Sequence, residues 1–196
     1  YALRYLKEHG IELKNDVLVY YGLSEETGMQ DIEYFCRTQQ VPDFNLVADT
    51  NFPVCYGEKG LMRADIERKI EGNLVSFHGG SVVNVIPPKA EAVISGVSLE
   101  AAREKLGDIE GISVDRDGES VKVTALGISR HAAFPEGSVN AIQELSKALA
   151  GSGLLTGSAA HGVKAVAAMT SDYYGESCGI PFEDKESGRL TCVGSV

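Results

Sequence analysis

Apolar positions along the chain fall into two textures. In the first sixty or so residues they form short unbroken runs, VLVYYGL at 17–23 and NLVAD at 45–49, each of buried-strand length. Between them MQDIEYFCRTQQ carries Met29, Ile32, Phe35 and Cys36 at helical spacing. Ahead of them ALRYLKEHG predicts the last turns of a helix, with His9 at its end and Gly10 as its stop. Strand, helix and strand within about thirty residues make one βαβ unit, whose right-handed crossover sets both strand carboxyl ends on the same edge of a parallel sheet.

From Gly60 onward the segments shorten and alternate. LMRADIERKI, NLVSFHGG, AEAVISGV, ISVDRDGE and SVKVTALGIS are separated by Gly, Pro and Asp turns, the pattern of an antiparallel sheet with one wet face. ISVDRDGESVKVTAL predicts a hairpin whose turn holds Asp117 and Gly118. Three helices interleave: SLEAAREKL, capped by Ser98; SVNAIQELSKALAG, ending at Gly151; and HGVKAVAAMTSDYYG, ending at Gly175. The fold class expected is therefore α/β followed by α+β: part of a parallel-sheet domain over residues 1–59, then a ferredoxin-like antiparallel domain over 60–196.

Charge narrows the partners. Twenty-eight acidic residues against eighteen basic leave a net charge of −10, and no basic cluster offsets it, so nucleic acid and anionic membrane are not expected partners. A small substrate is. No run approaches the roughly 18 apolar residues of a membrane span, and the start lacks an export pattern, so a cytoplasmic location is expected. The first residue is Tyr1 rather than Met, which points to an upstream segment lost by processing or truncation. Cys36, Cys55, Cys178 and Cys192 show no C-x-x-C spacing and are expected to be reduced and mostly buried.

The sharpest chemical signal is Gly22-Leu23-Ser24-Glu25-Glu26-Thr27-Gly28, two adjacent carboxylates on the turn that leaves the first strand and enters a helix. Asp49 ends the partner strand on the same expected edge. Three carboxylates gathered there repel one another unless a divalent cation lies between them, which is the argument for a metal; the alternative is that the acids decorate a helix start and a turn. His131, in SRHAAFPEGSVNA, sits in a loop between a β segment and a helix, where it can donate to an oxyanion or simply cap the helix. Asn84, in GGSVVNVIP, lies in an apolar run and as a buried amide needs partners, which backbone groups could equally supply. His78 is open between packing and site support, and His161 opens a helix. G-x-S-x-G, P-loop and H-E-x-x-H motifs are absent.

Taken together, GLSEETGM, VPDFNLVADTNFPVCYGEKG, GGSVVNVIPPKAEAVI and SRHAAFPEGSVNAI resemble four successive blocks of the co-catalytic zinc peptidases, the group that includes dipeptidases, aminoacylases and carboxypeptidase G. The wording around Asp49 is most similar to the bacterial Xaa-His dipeptidases. The resemblance implies a catalytic domain followed by a substrate-covering lid, and two zinc ions per active site. It implies Glu25 as the general base toward a zinc-bound water, Glu26 and Asp49 as zinc ligands, His131 as the oxyanion donor brought in by the lid, and Asn84 as a substrate contact. An N-acyl amino acid deacylase on the same fold and a non-catalytic binding or oligomerisation module are the alternatives. Ser24 stands where the family usually has Asp or Asn, outside the direct ligands. The family also supplies an H-x-D block upstream and a final His ligand downstream, and neither is in this sequence. The expectation is thus a fragment that lacks parts of its own full-length chain, is inactive alone and binds zinc weakly.

Overall fold

A computed structural model describes residues 1–49, 52–53 and 55–196, and of Glu26 the backbone alone. The chain divides into two compact units, Tyr1–Tyr56 and Gly57–Val196.

In the first unit, helix α1 spans Ala2–Glu8 and α2 spans Gln30–Thr38, with a short 3-10 turn at Glu25–Thr27 before α2. His9 follows α1 as its C-cap, its ring stacked on Tyr5 at 4.0 Å. Helix α2 carries Asp31 and Glu33 in its first turn and Arg37 in its last, complementing the helix dipole, and Arg37 pairs with Glu33 one turn back. Neither helix buries a residue.

The strands expected at 17–23 and 45–49 do not form: no strand occurs among the described residues of this unit. The physical reason is packing. A parallel pair is stable only with its faces covered and its edges paired, yet Val17, Leu18, Val19, Leu46 and Val47 all remain exposed. Apolar content alone does not hold a strand.

The second unit has the antiparallel architecture that alternation predicts. Strands β1 (Leu74–Gly79), β2 (Lys89–Ile94), β3 (Ile112–Asp117) and β4 (Ser120–Leu126) form one sheet in the order β1-β2-β4-β3, every neighbour antiparallel. Strands β2 and β3 flank β4, so helix α3 (Leu99–Leu106) connects two parallel strands with a third inserted between them, the split βαβ of ferredoxin-type folds. The remaining edge, beside β2, is filled by β1, which precedes this run in the chain.

Period-two burial decides which face is covered. Ala90, Ala92 and Ile94 on β2 and Val121, Val123 and Ala125 on β4 point inward, against Ala102 and Leu106 of α3 and Ile142, Leu145 and Leu149 of α4 (Ala141–Ser152). Helix α5 (Gly157–Met169) closes the layer through Ala159 and Val163. On the outer face Glu91 bridges Lys89 at 3.1 Å and Lys122 at 3.5 Å.

The β3–β4 hairpin turns through Gly118 and Glu119, and only Gly118 has a positive φ, +60°, the preference of a type II′ turn. Ser98 caps α3 as expected, its Oγ accepting from the Ala101 N–H at 3.1 Å. Three expected elements differ. Helix α4 passes through Gly151 to Ser152 and stops at Gly153, whose φ is +72°. Residues 61–70 form no strand and are exposed throughout, because no neighbour pairs with them in a ladder. Helix α5 starts at Gly157 and ends at Met169, so His161 is inside it and residues 170–175 are not helical; Asp172 takes backbone N–H groups that a continuing helix would need. A small hairpin, β5 (Glu183–Asp184) with β6 (Gly188–Arg189), follows.

Candidate functional site

In the first unit the local chemistry is built around Ser24 and Asp31. The Asp31 carboxylate accepts from the Leu23 N–H at 2.5 Å and from the Ser24 N–H at 3.3 Å, and the Ser24 hydroxyl donates to it at 2.6 Å. In return the Asp31 N–H donates to Ser24 Oγ at 3.2 Å. A side chain at Gly22 would place its first carbon 3.0 Å from the Asp31 carboxylate, so glycine leaves room for this closure. The Ser24 hydroxyl, then the Leu23 amide, hold the Asp31 carboxyl well below the usual carboxylate range. Sequence reasoning missed this pairing, although Asp31 in the first turn of a helix that follows a Gly-Leu-Ser turn was a visible cue.

Glu25 lies on the 3-10 turn that this clamp brackets and is exposed. Glu26 is on the same turn, but its side chain lies outside the described residues. Asp49 is described and exposed, in a segment without strand pairing. The turn therefore does not sit at a strand end, as the pattern suggested. Among the described residues no group of three or more His, Cys, Asp or Glu side chains gathers to hold a metal ion.

In the second unit the structure brings two expected site residues together. Beyond the ends of β2 and β4 the two chains stay side by side: Gly127 N–H donates to Pro88 O at 2.8 Å, Ile86 N–H to Arg130 O at 2.9 Å and Ala132 N–H to Asn84 O at 2.8 Å. Val85 and His131 form an antiparallel bridge. Asn84 and His131 thus lie on adjacent strand extensions, anchored by the buried Ile86, Pro87 and Pro135. Contrary to expectation Asn84 is exposed rather than buried, because the segment has left the sheet before reaching it.

The exposed His131 side chain is oriented by its own turn. Phe134 N–H donates to His131 O at 2.9 Å, closing a β-turn, and Ala133 N–H donates to His131 Nδ1 at 3.1 Å. A nitrogen that accepts from an amide carries no proton, so the neutral ring holds its proton on Nε2 and offers it outward. The Phe134 ring lies 6.0 Å away, tilted.

Two further polar groupings were not visible in the sequence. Tyr174 Oη donates to Glu136 Oε1 at 3.0 Å, the Arg189 guanidinium stacks over the Tyr174 ring at 3.7 Å, and Arg189 also reaches Glu176 at 2.5 Å. Asp172 accepts from the backbone N–H of Tyr174, Glu176 and Ser177 at 2.6, 3.2 and 2.7 Å. Burial pushes the Asp172 carboxyl up, but these amides and the Ser177 hydroxyl outweigh it and bring it down to about 2. His78, on β1, lies across from Glu91 and is exposed. Cys36, Cys178 and Cys192 are free, as expected, but Cys36, Cys55 and Cys178 are exposed and Cys192 is half-buried, which corrects the expected burial of the cysteines.

No helix among the described residues is long and apolar enough to cross a membrane. No family model matches the chain. It is similar to YtjP of Bacillus subtilis (strain 168), a protein provisionally named a dipeptidase, at 28% identity over 214 aligned positions, covering 100% of this chain and 45% of that protein. A protein of Staphylococcus saprophyticus with the same provisional name is 26% identical over 97% of this chain and 44% of its own length. One of Staphylococcus aureus (strain MRSA252), again so named, is 26% identical over 97% and 44%. The chain spans less than half the length of these curated relatives.

Proposed function

We propose that the chain is part of a zinc-dependent dipeptidase acting on Xaa-His dipeptides, with Glu25 as general base, Glu26 and Asp49 as zinc ligands, Asn84 as a substrate contact and His131 as the oxyanion donor. The dipeptidase names of its relatives support the reaction class. The observation that carries the assignment of roles is that Asn84 and His131 lie on adjacent strand extensions, where Ala132 N–H donates to Asn84 O at 2.8 Å and Val85 bridges His131, and that both side chains are exposed. An imidazole with its proton on Nε2 suits a developing negative oxygen, and an adjacent carboxamide suits the peptide group that carries it. The free, exposed Cys36 and Cys178 support a reducing, cytoplasmic location.

Two carboxylates do not by themselves fit zinc, a borderline-soft ion that favours nitrogen and sulfur donors, and among the described residues no group of three or more His, Cys, Asp or Glu side chains gathers to hold a metal ion. The chemistry assigned to this chain is therefore that of its own side chains, and the 196-residue chain alone is inactive and a weak zinc binder.

The test is a hydrolysis panel of Xaa-His dipeptides against N-acetyl and N-succinyl amino acids, on this chain and on the longer protein that contains it, with zinc calorimetry on the chain. The reading expects cleavage of the dipeptides by the longer protein and a fall in kcat of roughly 10²–10³-fold in His131→Ala, the scale of losing one oxyanion donor. Preference for N-acyl amino acids would replace it with the deacylase reading, and tight binding of two zinc ions by the chain would overturn its inactivity.

A further inference from the structure

The His131 turn is fixed at its start by the pairing with Asn84 and Val85, and at its middle by the buried Pro135. Its far end, Glu136, meets a side chain 38 positions away, Tyr174, at 3.0 Å. Tyr174 is itself held from several directions. Its N–H is bound by Asp172 at 2.6 Å, its ring lies under Arg189 at 3.7 Å, Arg189 is tied to Glu176, and Cys192 N–H donates to the neighbouring Tyr173 O at 2.8 Å. A rigid knot thus reaches out through one hydroxyl to one carboxylate of the histidine turn.

The orientation of His131 rests on a bond inside that turn, Ala133 N–H to Nδ1. Any swing of residues 133–136 carries the Ala133 amide with it. Fixing Glu136 therefore fixes the donor that selects which ring nitrogen bears the proton. We propose that Tyr174, acting through Glu136, is a positioning residue that keeps His131 in its Nε2–H form with that proton presented outward. This rests on the reading of His131 as oxyanion donor for its use in catalysis, but not for its geometry. The Tyr174 hydroxyl is held above its ordinary range chiefly by its bond to the Glu136 carboxylate. Both side chains are partly or fully open to solvent, where a hydrogen bond adds little to stability, so its contribution is orientation.

The experiment uses the whole chain with nitrogen-15 histidine and long-range proton–nitrogen correlation at alkaline pH, where imidazoles are neutral and the two tautomers differ in both nitrogen shifts. His131 is assigned by its loss in His131→Gln. The parent shows a single Nε2–H pattern. Tyr174→Phe, which keeps the ring under Arg189, and Glu136→Ala both convert it to the averaged pattern of a free imidazole, whereas Glu136→Gln, which keeps an acceptor oxygen, retains the parent pattern. An Nδ1–H pattern in the parent, an unchanged pattern in Tyr174→Phe, or a pattern lost in Glu136→Gln overturns the proposal. Should Tyr174→Phe lower the melting temperature by more than a few degrees, Glu136→Ala decides in its place: the averaged pattern supports the proposal and an unchanged one overturns it. No substrate enters this readout, so its failure is separable from inactivity of His131→Ala in the hydrolysis panel.

Discussion

Asn140 and Gly194 are joined by a 2.7 Å bond from the Asn140 Nδ2 to the Gly194 carbonyl, while the other end of the same carboxamide, Oδ1, caps α4 by accepting from Ile142 N–H at 2.9 Å and Gln143 N–H at 3.4 Å. Asn140 is 0% exposed, so one buried side chain fastens the C-terminal segment to the start of the central helix and satisfies both.

That double use separates two substitutions. Asn140→Ala removes cap and tether and is expected to cost about 2–3 kcal/mol, the sum of a lost cap and an orphaned carbonyl. Asn140→Asp keeps the cap oxygen but sets a carboxylate against the Gly194 carbonyl, and is expected to be at least as destabilising at neutral pH. Urea unfolding of the two variants beside the parent measures both; a stable Asn140→Asp would mean the Gly194 bond contributes nothing.

Leu145, fully buried between α4 and the sheet, reports on the core itself. Leu145→Ala is expected to destabilise the second unit by about 2–5 kcal/mol. The same change at the exposed Leu126 is expected to stay within about 0.5 kcal/mol. The contrast is read from the shift in urea midpoint.

Asp172 gives a pH dependence with a defined sign. Its folded-state value is depressed to about 2 from 3.8, so its contribution to stability is present above the unfolded value and disappears as pH falls from there through about 2. Asp172→Asn should therefore be less stable than the parent at neutral pH, with the gap closing across that acid window. Urea midpoints taken at successive pH values trace the closure, and a gap independent of pH would refute the assignment.

For the clamp in the first unit the expected outcome is spectroscopic. Asp31 should titrate well below an ordinary carboxylate, and Ser24→Ala, which removes the largest cause, should move it upward. Carbon-13 carboxyl titration of both proteins makes the comparison directly.

The second unit was legible because its strands alternate. One face of β2 and β4 is covered and the other wet, so Ala90, Ala92 and Ile94 announce their direction two residues at a time, and Ser98 announces a helix start. Runs without alternation misled. VLVYYGL and NLVAD have the content of buried strands, but content says nothing of partners, and this unit supplies no neighbouring strand or covering helix among its described residues. Of the candidate site, His131 was legible as a loop histidine and Asn84 as an amide in an apolar run, whereas their adjacency came only from the strand extensions. Tyr174 and Glu136 were invisible, since a bond across 38 positions leaves no periodic trace.

The sheet order also governs how the second unit assembles. β1 with β2 and β3 with β4 are each pairings between strands consecutive in the chain, and only the seam from Ile94 to Val121 joins distant stretches. Because the cost of closing a loop grows with the chain enclosed, that seam carries most of the topological difficulty, and α3, packed into the enclosed stretch, shortens the search. Two ribbons that form early and dock once need little long-range sorting, an economy available only because β1 stands ahead of its neighbour rather than at the far end of the polypeptide.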